Sequence, residues 1–210
     1  CGYERGGTTL LSEVFRANGY FSGFETGILL CENPADFLEL SPFNKMLAPG
    51  WKIPKDEVVG LCEGDFAEFY EKLIGLSLKN HGNNNIPAKF FDKTPAYMRE
   101  LGRALNRTSF INKGVVITRD PRQIFFSWAK RQCNGIERLD YFIQRKLDNY
   151  AKRYLNYFIG SITHRKNPNV LFISFDDLVI NFEQTVASIG SFADGSPFTN
   201  YQLNPRFKNV

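Results

Sequence analysis

The chain has 210 residues, of which 43% are hydrophobic and 23% charged, and its formal net charge is +4. This composition is typical of one soluble globular domain with its own core, and the modest charge does not by itself indicate a nucleic-acid partner. No apolar run reaches the roughly 20 residues of a membrane span. Two histidines, and four cysteines without a C-x-x-C pair, argue against a zinc ribbon, a multi-histidine metal site or a thioredoxin-type site and predict reduced thiols.

The first ten residues, CGYERGGTTL, are similar to a nucleotide-triphosphatase phosphate loop, whose pattern is G-x-x-x-x-G-K-[ST]. Gly2 and Gly7 keep the spacing and Thr9 keeps the final hydroxyl, whereas Thr8 replaces the lysine that reaches the β- and γ-phosphates. Arg5 is the nearby cation. This loop predicts a nucleotide without a γ-phosphate and a transferred group beside Arg5, as in the sulfuryl donor 3′-phosphoadenosine-5′-phosphosulfate (PAPS).

The start of the chain carries two further expectations. A glycine-rich turn that only caps a helix is the alternative to a phosphate loop. Because a phosphate loop normally follows a β-strand, we expect the first strand to be truncated, together with any upstream anchor or targeting segment. A complete bacterial chain would lie in the cytoplasm, which is the compartment we predict, whereas a chain trimmed of its anchor would come from the Golgi lumen.

Helical and extended patterns alternate along the rest of the chain. Apolar residues recur at helical spacing in residues 9–17, 65–78, 97–105, 122–131, 139–162 and 182–192, and the proline-rich residues 34–60 predict short helices and loops. Short apolar runs at residues 88–91, 114–118 and 170–175 predict strands. Such alternation forms right-handed crossovers onto a parallel sheet. We therefore predict an α/β fold of the P-loop type, a three-layer arrangement with a central parallel sheet flanked by helices, built by residues 1–210 as a single domain.

Polar residues follow each predicted strand, and in a parallel sheet the ligand crevice lies outside the carboxyl ends of the strands. One of these ends carries the pattern R-D-P-R-x4-S-x3-R, which comprises Arg119, Asp120, Arg122, Ser127 and Arg131. On a helix Ser127 and Arg131 share a face, and Arg119 at the strand end can converge with Ser127 on one phosphate. A strand end followed by a solvated basic helix is the alternative.

These motifs resemble those of the PAPS-dependent sulfotransferases. Residues 5–10 (RGGTTL) are similar to the 5′-phosphosulfate loop of that family, and the R-D-P-R-x4-S-x3-R pattern is similar to its 3′-phosphate motif. Residues 175–179 (FDDLV) match a late Tyr-Glu-Asp-Leu-Val motif except at Phe175, and residues 92–97 (DKTPAY) resemble a segment of the heparan-sulfate-type enzymes. The Arg-Lys-Gly motif of the cytosolic members is absent.

The resemblance implies a role for each matching position. Arg5 would stabilise the leaving sulfate, and Lys93 would lie near the reacting centre. The implied donor-binding residues are Arg5, Gly6, Gly7, Thr8, Thr9 and Leu10 at the 5′-phosphosulfate end, and Arg119, Ser127 and Arg131 at the 3′-phosphate. The donor would be PAPS, the product would be 3′-phosphoadenosine-5′-phosphate (PAP), and no metal would be required.

An acceptor hydroxyl must lose its proton during sulfuryl transfer, and a positioned carboxylate or histidine can take it. Neither His81 nor His164 lies in a matching motif. Glu25 resembles the glutamate that follows the second strand in tyrosylprotein and glycan sulfotransferases, and we predict it as the base. Glu32 and Asp92 are the remaining candidates. The alternative for Glu25 is a structural role, as a helix cap or in a salt bridge.

The sequence thus predicts a sulfotransferase that moves the sulfuryl group of PAPS to the hydroxyl of a glycan, peptide or small alcohol. A P-loop-like nucleotide or small-molecule kinase and a non-catalytic anion-binding module are the alternatives. We expect residues 34–64 and the tyrosine-rich helix around Tyr150 to shape the acceptor pocket, and Trp128 and the Phe125-Phe126 pair to lie in the helix core. The expected partner is the hydroxyl-bearing acceptor, without nucleic acid and without a membrane span in this chain.

Overall fold

The computed structural model describes residues 1–80, 82, 89–107, 113–133 and 136–203. Its α-helices are α1 (Thr8–Ala17), α2 (Phe43–Trp51), α3 (Glu57–Leu61), α4 (Phe66–Asn80), α5 (Leu101–Asn106), α6 (Pro121–Gln132), α7 (Ile136–Ile162), α8 (Phe175–Ile180) and α9 (Phe182–Asp194). The strands are β1 (Gly114–Thr118) and β2 (Val170–Ser174), and 3₁₀ helices form at Ile28–Leu30, Pro34–Glu39 and Pro95–Glu100. The described helices include none that is long and apolar enough to cross a membrane.

The two strands pair in parallel, with Gly114 opposite Val170 and Thr118 opposite Ser174. The start of the chain extends this sheet on the other side of β1, where Gly2 forms a parallel bridge with Ile117. A further parallel bridge joins Phe21 to Phe90. Every described pairing is therefore parallel, as the alternating pattern predicts, and the α/β fold is confirmed.

The sheet lies between two apolar layers because neighbouring residues of a strand point to opposite faces. Ile117 of β1 packs with Leu10 and Val14 of α1 and with residues of α8 and α9. Val116 packs on the other face with Ile124 of α6 and with tyrosines of α7. This arrangement places the amino end of α1 and the amino end of α6 near the same edge of the sheet.

A third apolar cluster forms beside the sheet and comes mainly from residues 28–78. It contains the largest of the fully buried side chains among the described residues, which are Trp51, Tyr70, Phe37 and Phe69. The short helices predicted for residues 34–60 are present as a 3₁₀ helix, α2 and α3. This cluster supports the segment that carries Glu25, because Trp51 donates a hydrogen bond of 2.7 Å from Nε1 to the carbonyl oxygen of Phe24.

Three predicted elements differ from the structure. Residues 97–105 are not one helix, because Glu100 leaves the helical region (φ −125°) and separates the 3₁₀ helix Pro95–Glu100 from α5. Phe175 belongs to α8 rather than to the last strand, since Ser174 caps that helix by accepting a hydrogen bond from the N–H of Asp177. The strand predicted for residues 88–91 is only the bridge at Phe90, and residue 88 lies outside the described residues.

The side chains expected in the core of the 122–131 helix divide between core and surface. Phe125 is buried, as predicted, whereas Trp128 is only partly buried and packs against the edge of the cluster around Val116 and Ile124. Phe126 is 45% exposed and lies under the ammonium group of Lys130, so its assignment to the core is wrong. All four cysteines are free thiols, and Cys31 and Cys62 are buried.

Candidate functional site

The loop between Gly2 and α1 bends sharply around two residues in the left-handed region, Arg5 (φ 66°) and Gly7 (φ 101°). The N–H of Gly6 donates a hydrogen bond of 2.8 Å to the carbonyl oxygen of Tyr3 and closes the turn. A Cβ atom on Gly7 would lie 2.4 Å from the ring of Phe175. Only glycine meets both demands at position 7, because it has no Cβ and adopts positive φ without strain.

The loop ends at the amino terminus of α1, where backbone N–H groups are available. Gly7 is the N-cap and supplies no side-chain acceptor, and the first turn contains no acidic residue. Helix amino termini of this kind attract phosphate and sulfate groups, because the free N–H groups and the helix dipole favour an anion. Thr8 is buried against the sheet, whereas Thr9 is exposed at this end of the helix.

Arg5, Arg119 and Ser127 converge although they are far apart in the sequence. Nε and Nη2 of Arg5 lie 3.4 and 3.3 Å from Oγ of Ser127. Nη1 of Arg119 donates a hydrogen bond of 3.3 Å to the carbonyl oxygen of Arg5, and its guanidinium lies 4.1 Å from the centroid of the Phe175 ring. Within the described part of the chain neither arginine forms an ion pair with a carboxylate. The cluster therefore offers two uncompensated positive charges to an anion.

Asp120 and Arg122 of the R-D-P-R-x4-S-x3-R pattern pair with each other at the start of α6. Asp120 is the N-cap of α6 and accepts a hydrogen bond of 2.8 Å from the N–H of Arg122. The hydrogen bonds from the Arg122 side chain and backbone lower the pKa of Asp120 to about 2. Arg131 is exposed one turn of α6 beyond Ser127. Asp120 and Arg122 thus shape the start of the helix rather than the anion site.

Glu25 and Lys93 form an ion pair, with their side chains 21% and 14% exposed. The Lys93 ammonium also lies 5.3 Å from the centroid of the Phe24 ring. Glu25 does not cap a helix, because the N-cap of the following 3₁₀ helix is Gly27. Glu25 therefore forms a salt bridge, which is the structural role given above as the alternative. Its partner, Lys93, is the other side chain expected near the reacting centre.

The two other candidate bases are occupied by structural contacts. Glu32 is 65% exposed and forms ion pairs with Arg103 and Arg107. The carboxylate of Asp92 accepts hydrogen bonds from hydroxyl groups, among them Tyr97 at 2.7 Å. The sequence does not predict the contacts of Asp92 with Thr26 and Tyr70, because these two donors lie 66 and 22 positions away along the chain.

A cavity of about 220 Å³ lies beside the phosphate loop, between the loop, α6 and α7. Its lining includes Tyr3 and Arg5 from the loop, Trp128 from α6, and Lys146 and Tyr150 from α7. Tyr150 of the tyrosine-rich helix therefore does line a cavity next to Arg5. The Tyr150 hydroxyl itself donates a hydrogen bond of 2.8 Å to the carbonyl oxygen of Pro121.

Comparison with solved structures supports the fold. The sulfotransferase domain of the olefin synthase from Synechococcus PCC 7002 superposes with a TM-score of 0.57 at 17% identity, over 100% of this chain and 78% of that one. The sulfotransferase domain from the curacin biosynthetic pathway gives a TM-score of 0.53 at 18% identity, over 97% of this chain and 76% of that one. No curated protein matches the chain.

Comparison with protein families identifies the family of the chain, whereas the solved structures support only its fold. The family described as "Sulfotransferase domain" matches residues 1–210, which is the whole of the chain. The matched range spans the residues of the phosphate loop, the Arg119–Ser127 motif and the Glu25–Lys93 pair. The chain therefore belongs to the sulfotransferase family and is a PAPS-dependent sulfotransferase.

Proposed function

We propose that this protein transfers the sulfuryl group of PAPS to the hydroxyl of a glycan, peptide or small alcohol, with Glu25 as the base. The observation that carries the proposal is the convergence of Arg5 and Arg119, which precede α1 and α6, with Ser127 in the middle of α6. A carboxylate joined to a lysine, the Glu25–Lys93 pair, supplies the acid–base group that sulfuryl transfer to an alcohol requires.

The described residues fit PAPS as the donor. The glycine at position 7 allows the backbone to pass close to Phe175, and the N–H groups at the start of α1, which no side chain caps, suit the 5′-phosphosulfate end. Arg119 and Ser127 would hold the 3′-phosphate, with Arg131 reaching it from the next turn of α6. The uncompensated guanidinium groups favour a polyanionic ligand, because charge-assisted hydrogen bonds to phosphate are among the strongest in proteins.

PAPS supplies the sulfuryl group when bound, and the protein activates the acceptor. Glu25 takes the acceptor proton while the acceptor oxygen bonds to sulfur and the bond between sulfur and the phosphate oxygen of PAP breaks. Lys93 can keep a hydrogen bond to one oxygen of Glu25 while the other oxygen takes the proton, because a carboxylate has about four lone-pair positions. Arg5 and Lys93 stabilise negative charge on the sulfuryl group and the bridging oxygen, and removing one such group typically lowers kcat by about 10²–10³-fold.

The kinase alternative is the weaker explanation of this site. A kinase of this fold needs the loop lysine and an acidic residue that holds Mg²⁺. Thr8 stands in place of the lysine, and Asp120 is bound to Arg122.

Turnover of PAPS by variants tests the proposal. The release of PAP would be measured with a panel of glycan, phenolic and aliphatic alcohol acceptors. We expect Glu25→Gln and Arg5→Ala each to lower kcat by at least about 10²-fold. Glu71→Gln and Arg165→Ala, which change exposed residues outside the site, serve as matched controls. Near-normal turnover by both site variants would refute the assignment of Glu25 and Arg5.

A further inference from the structure

We propose that Asp92 is a positioning residue, which fixes the geometry of the Glu25–Lys93 pair through a buried cluster of hydroxyl groups. The inference rests on the proposed function, because it concerns the base assigned there. Asp92 directly precedes Lys93, and Thr26 directly follows Glu25. A contact between Asp92 and Thr26 therefore ties together the two backbone segments that carry the ion pair.

Four hydroxyl groups donate hydrogen bonds to the Asp92 carboxylate. Oδ2 accepts from Thr26, from Tyr70 at 2.6 Å and from Tyr97 at 2.7 Å. Oδ1 accepts from Thr94 at 3.0 Å. All four donor residues are buried. Both carboxylate oxygens are thus engaged, which leaves Asp92 poorly suited to take a proton from an acceptor.

The same hydroxyl groups also bind the backbone of the segment after Glu25. Oγ1 of Thr94 accepts a hydrogen bond of 3.1 Å from the N–H of Gly27, and the Tyr97 oxygen accepts one of 3.3 Å from the N–H of Leu29. The Tyr97 hydroxyl also lies 3.1 Å from Oγ1 of Thr26. Residues 26–29 are therefore held at several points against residues 92–97.

The electrostatics of the cluster keep its donors in place. Burial, followed by the nearby Asp92 charge, raises the pKa of Tyr70 and of Tyr97 well above the usual value, so both phenols keep their protons. Among the described residues no lysine, arginine or histidine forms an ion pair with Asp92. Neutral hydroxyl groups therefore stabilise the Asp92 charge, and Lys93 is left to pair with Glu25.

The sharpest test is a double-mutant cycle between Thr26 and Glu25. Thr26→Val removes one hydroxyl from the cluster and keeps the shape of the side chain, and Thr26→Ser keeps the hydroxyl. We expect Thr26→Val to lower kcat for PAPS turnover by about 10–100-fold, since small displacements of catalytic groups have effects of this size. In the Glu25→Gln background the same change should have little further effect, because the base on which the cluster acts is already lost.

Controls separate this role from a general loss of structure. PAP affinity, measured by calorimetry, should be unchanged in Thr26→Val, since the donor contacts lie at Arg119 and Ser127, and Thr26→Ser should restore kcat. Tyr97→Phe, which removes another hydroxyl and keeps the ring, should repeat the result if Thr26→Val folds poorly. An equal loss of kcat in both backgrounds, or no loss in either hydroxyl variant, would overturn the positioning role. Normal turnover by Glu25→Gln alone would instead refute the proposed base.

Discussion

Arg5 holds a backbone conformation that is uncommon for a residue with a side chain. Its φ of 66° lies in the left-handed region, which costs a residue with a Cβ roughly 1–2 kcal/mol. The guanidinium reaches Ser127 from this position, so the loop keeps an unfavourable conformation at the point where a cation is needed. Strain retained at one residue of a site is a common feature of functional loops.

Because Arg5 combines an unfavourable backbone conformation with a needed charge, we predict that Arg5→Gly lowers activity without lowering stability. Glycine relieves the backbone, so the free energy of unfolding should stay the same or rise by about 1 kcal/mol. Loss of the guanidinium should lower kcat by at least about 10²-fold. Urea unfolding and PAPS turnover measure the two effects. Lys52→Gly is the matched control, because Lys52 has a similar φ of 54° outside the site. A large loss of stability in Arg5→Gly would contradict the account.

Two buried cysteines give a prediction about pH. Burial raises the pKa of Cys31 and of Cys62 to about 11, so at pH 8 only about one thiol in a thousand is ionised. Because the folded-state pKa is raised, the stability gained by keeping these thiols neutral is present below the unfolded pKa of about 8.5 and declines above it.

In the folded protein at pH 8, iodoacetamide should modify the partly exposed Cys133 much faster than Cys31 or Cys62, as measured by mass spectrometry. Equal rates would show that the two thiols are accessible.

At the scale of elements, two helical glycines should respond to the same substitution with opposite signs. A Cβ on Gly160 of α7 would lie 2.1 Å from the carbonyl oxygen of Arg99, where α7 packs against the 3₁₀ helix Pro95–Glu100. A Cβ on Gly75 of α4 would meet nothing within 4 Å. Gly160→Ala should therefore destabilise the protein by about 1–3 kcal/mol, whereas Gly75→Ala should stabilise it by about 0.5–1 kcal/mol.

Denaturant unfolding of both variants measures this difference directly. The pair is internally controlled, because each variant adds the same methyl group to the interior of a helix. Stabilisation by Gly160→Ala would mean that α7 does not pack closely on residues 95–100. The positions of Tyr97 and Lys93 would then need another explanation. Tyr97 lies in this 3₁₀ helix, and Lys93 lies two residues before it.

The sequence predicted elements well where the signal was local. The helix predicted for residues 122–131 is α6, because Asp120 and Pro121 provide a strong helix start and Ile124 and Phe125 a buried face. The single helix predicted for residues 97–105 failed because periodicity does not report the break at Glu100. The strand at Phe90 is shorter than its apolar run, since apolar side chains indicate burial but not a hydrogen-bonding partner.

At the scale of the whole molecule, the site depends on contacts that local patterns do not contain. The contact between Arg5 and Ser127 spans 122 positions, and the contact between Lys93 and Glu25 spans 68. The resemblance to a family predicts these residues as site residues. They meet in the structure because the parallel sheet brings its strand ends together. Asp92, Thr94 and Tyr97 of the hydroxyl cluster lie in the segment DKTPAY, whereas Thr26 and Tyr70 come from separate places in the chain, and no local pattern shows that they meet Asp92.

The central claim is that the convergent cations hold a PAPS-type nucleotide without a metal ion. Calorimetric titration with PAP in the presence of a chelator tests it most directly, with Mg-ATP titrated into the same protein for comparison. We predict tight binding of PAP that is lost in Arg119→Ala and retained in the exposed control Arg165→Ala, with weak binding of Mg-ATP. Tight binding of Mg-ATP without binding of PAP would contradict the account and favour the kinase alternative.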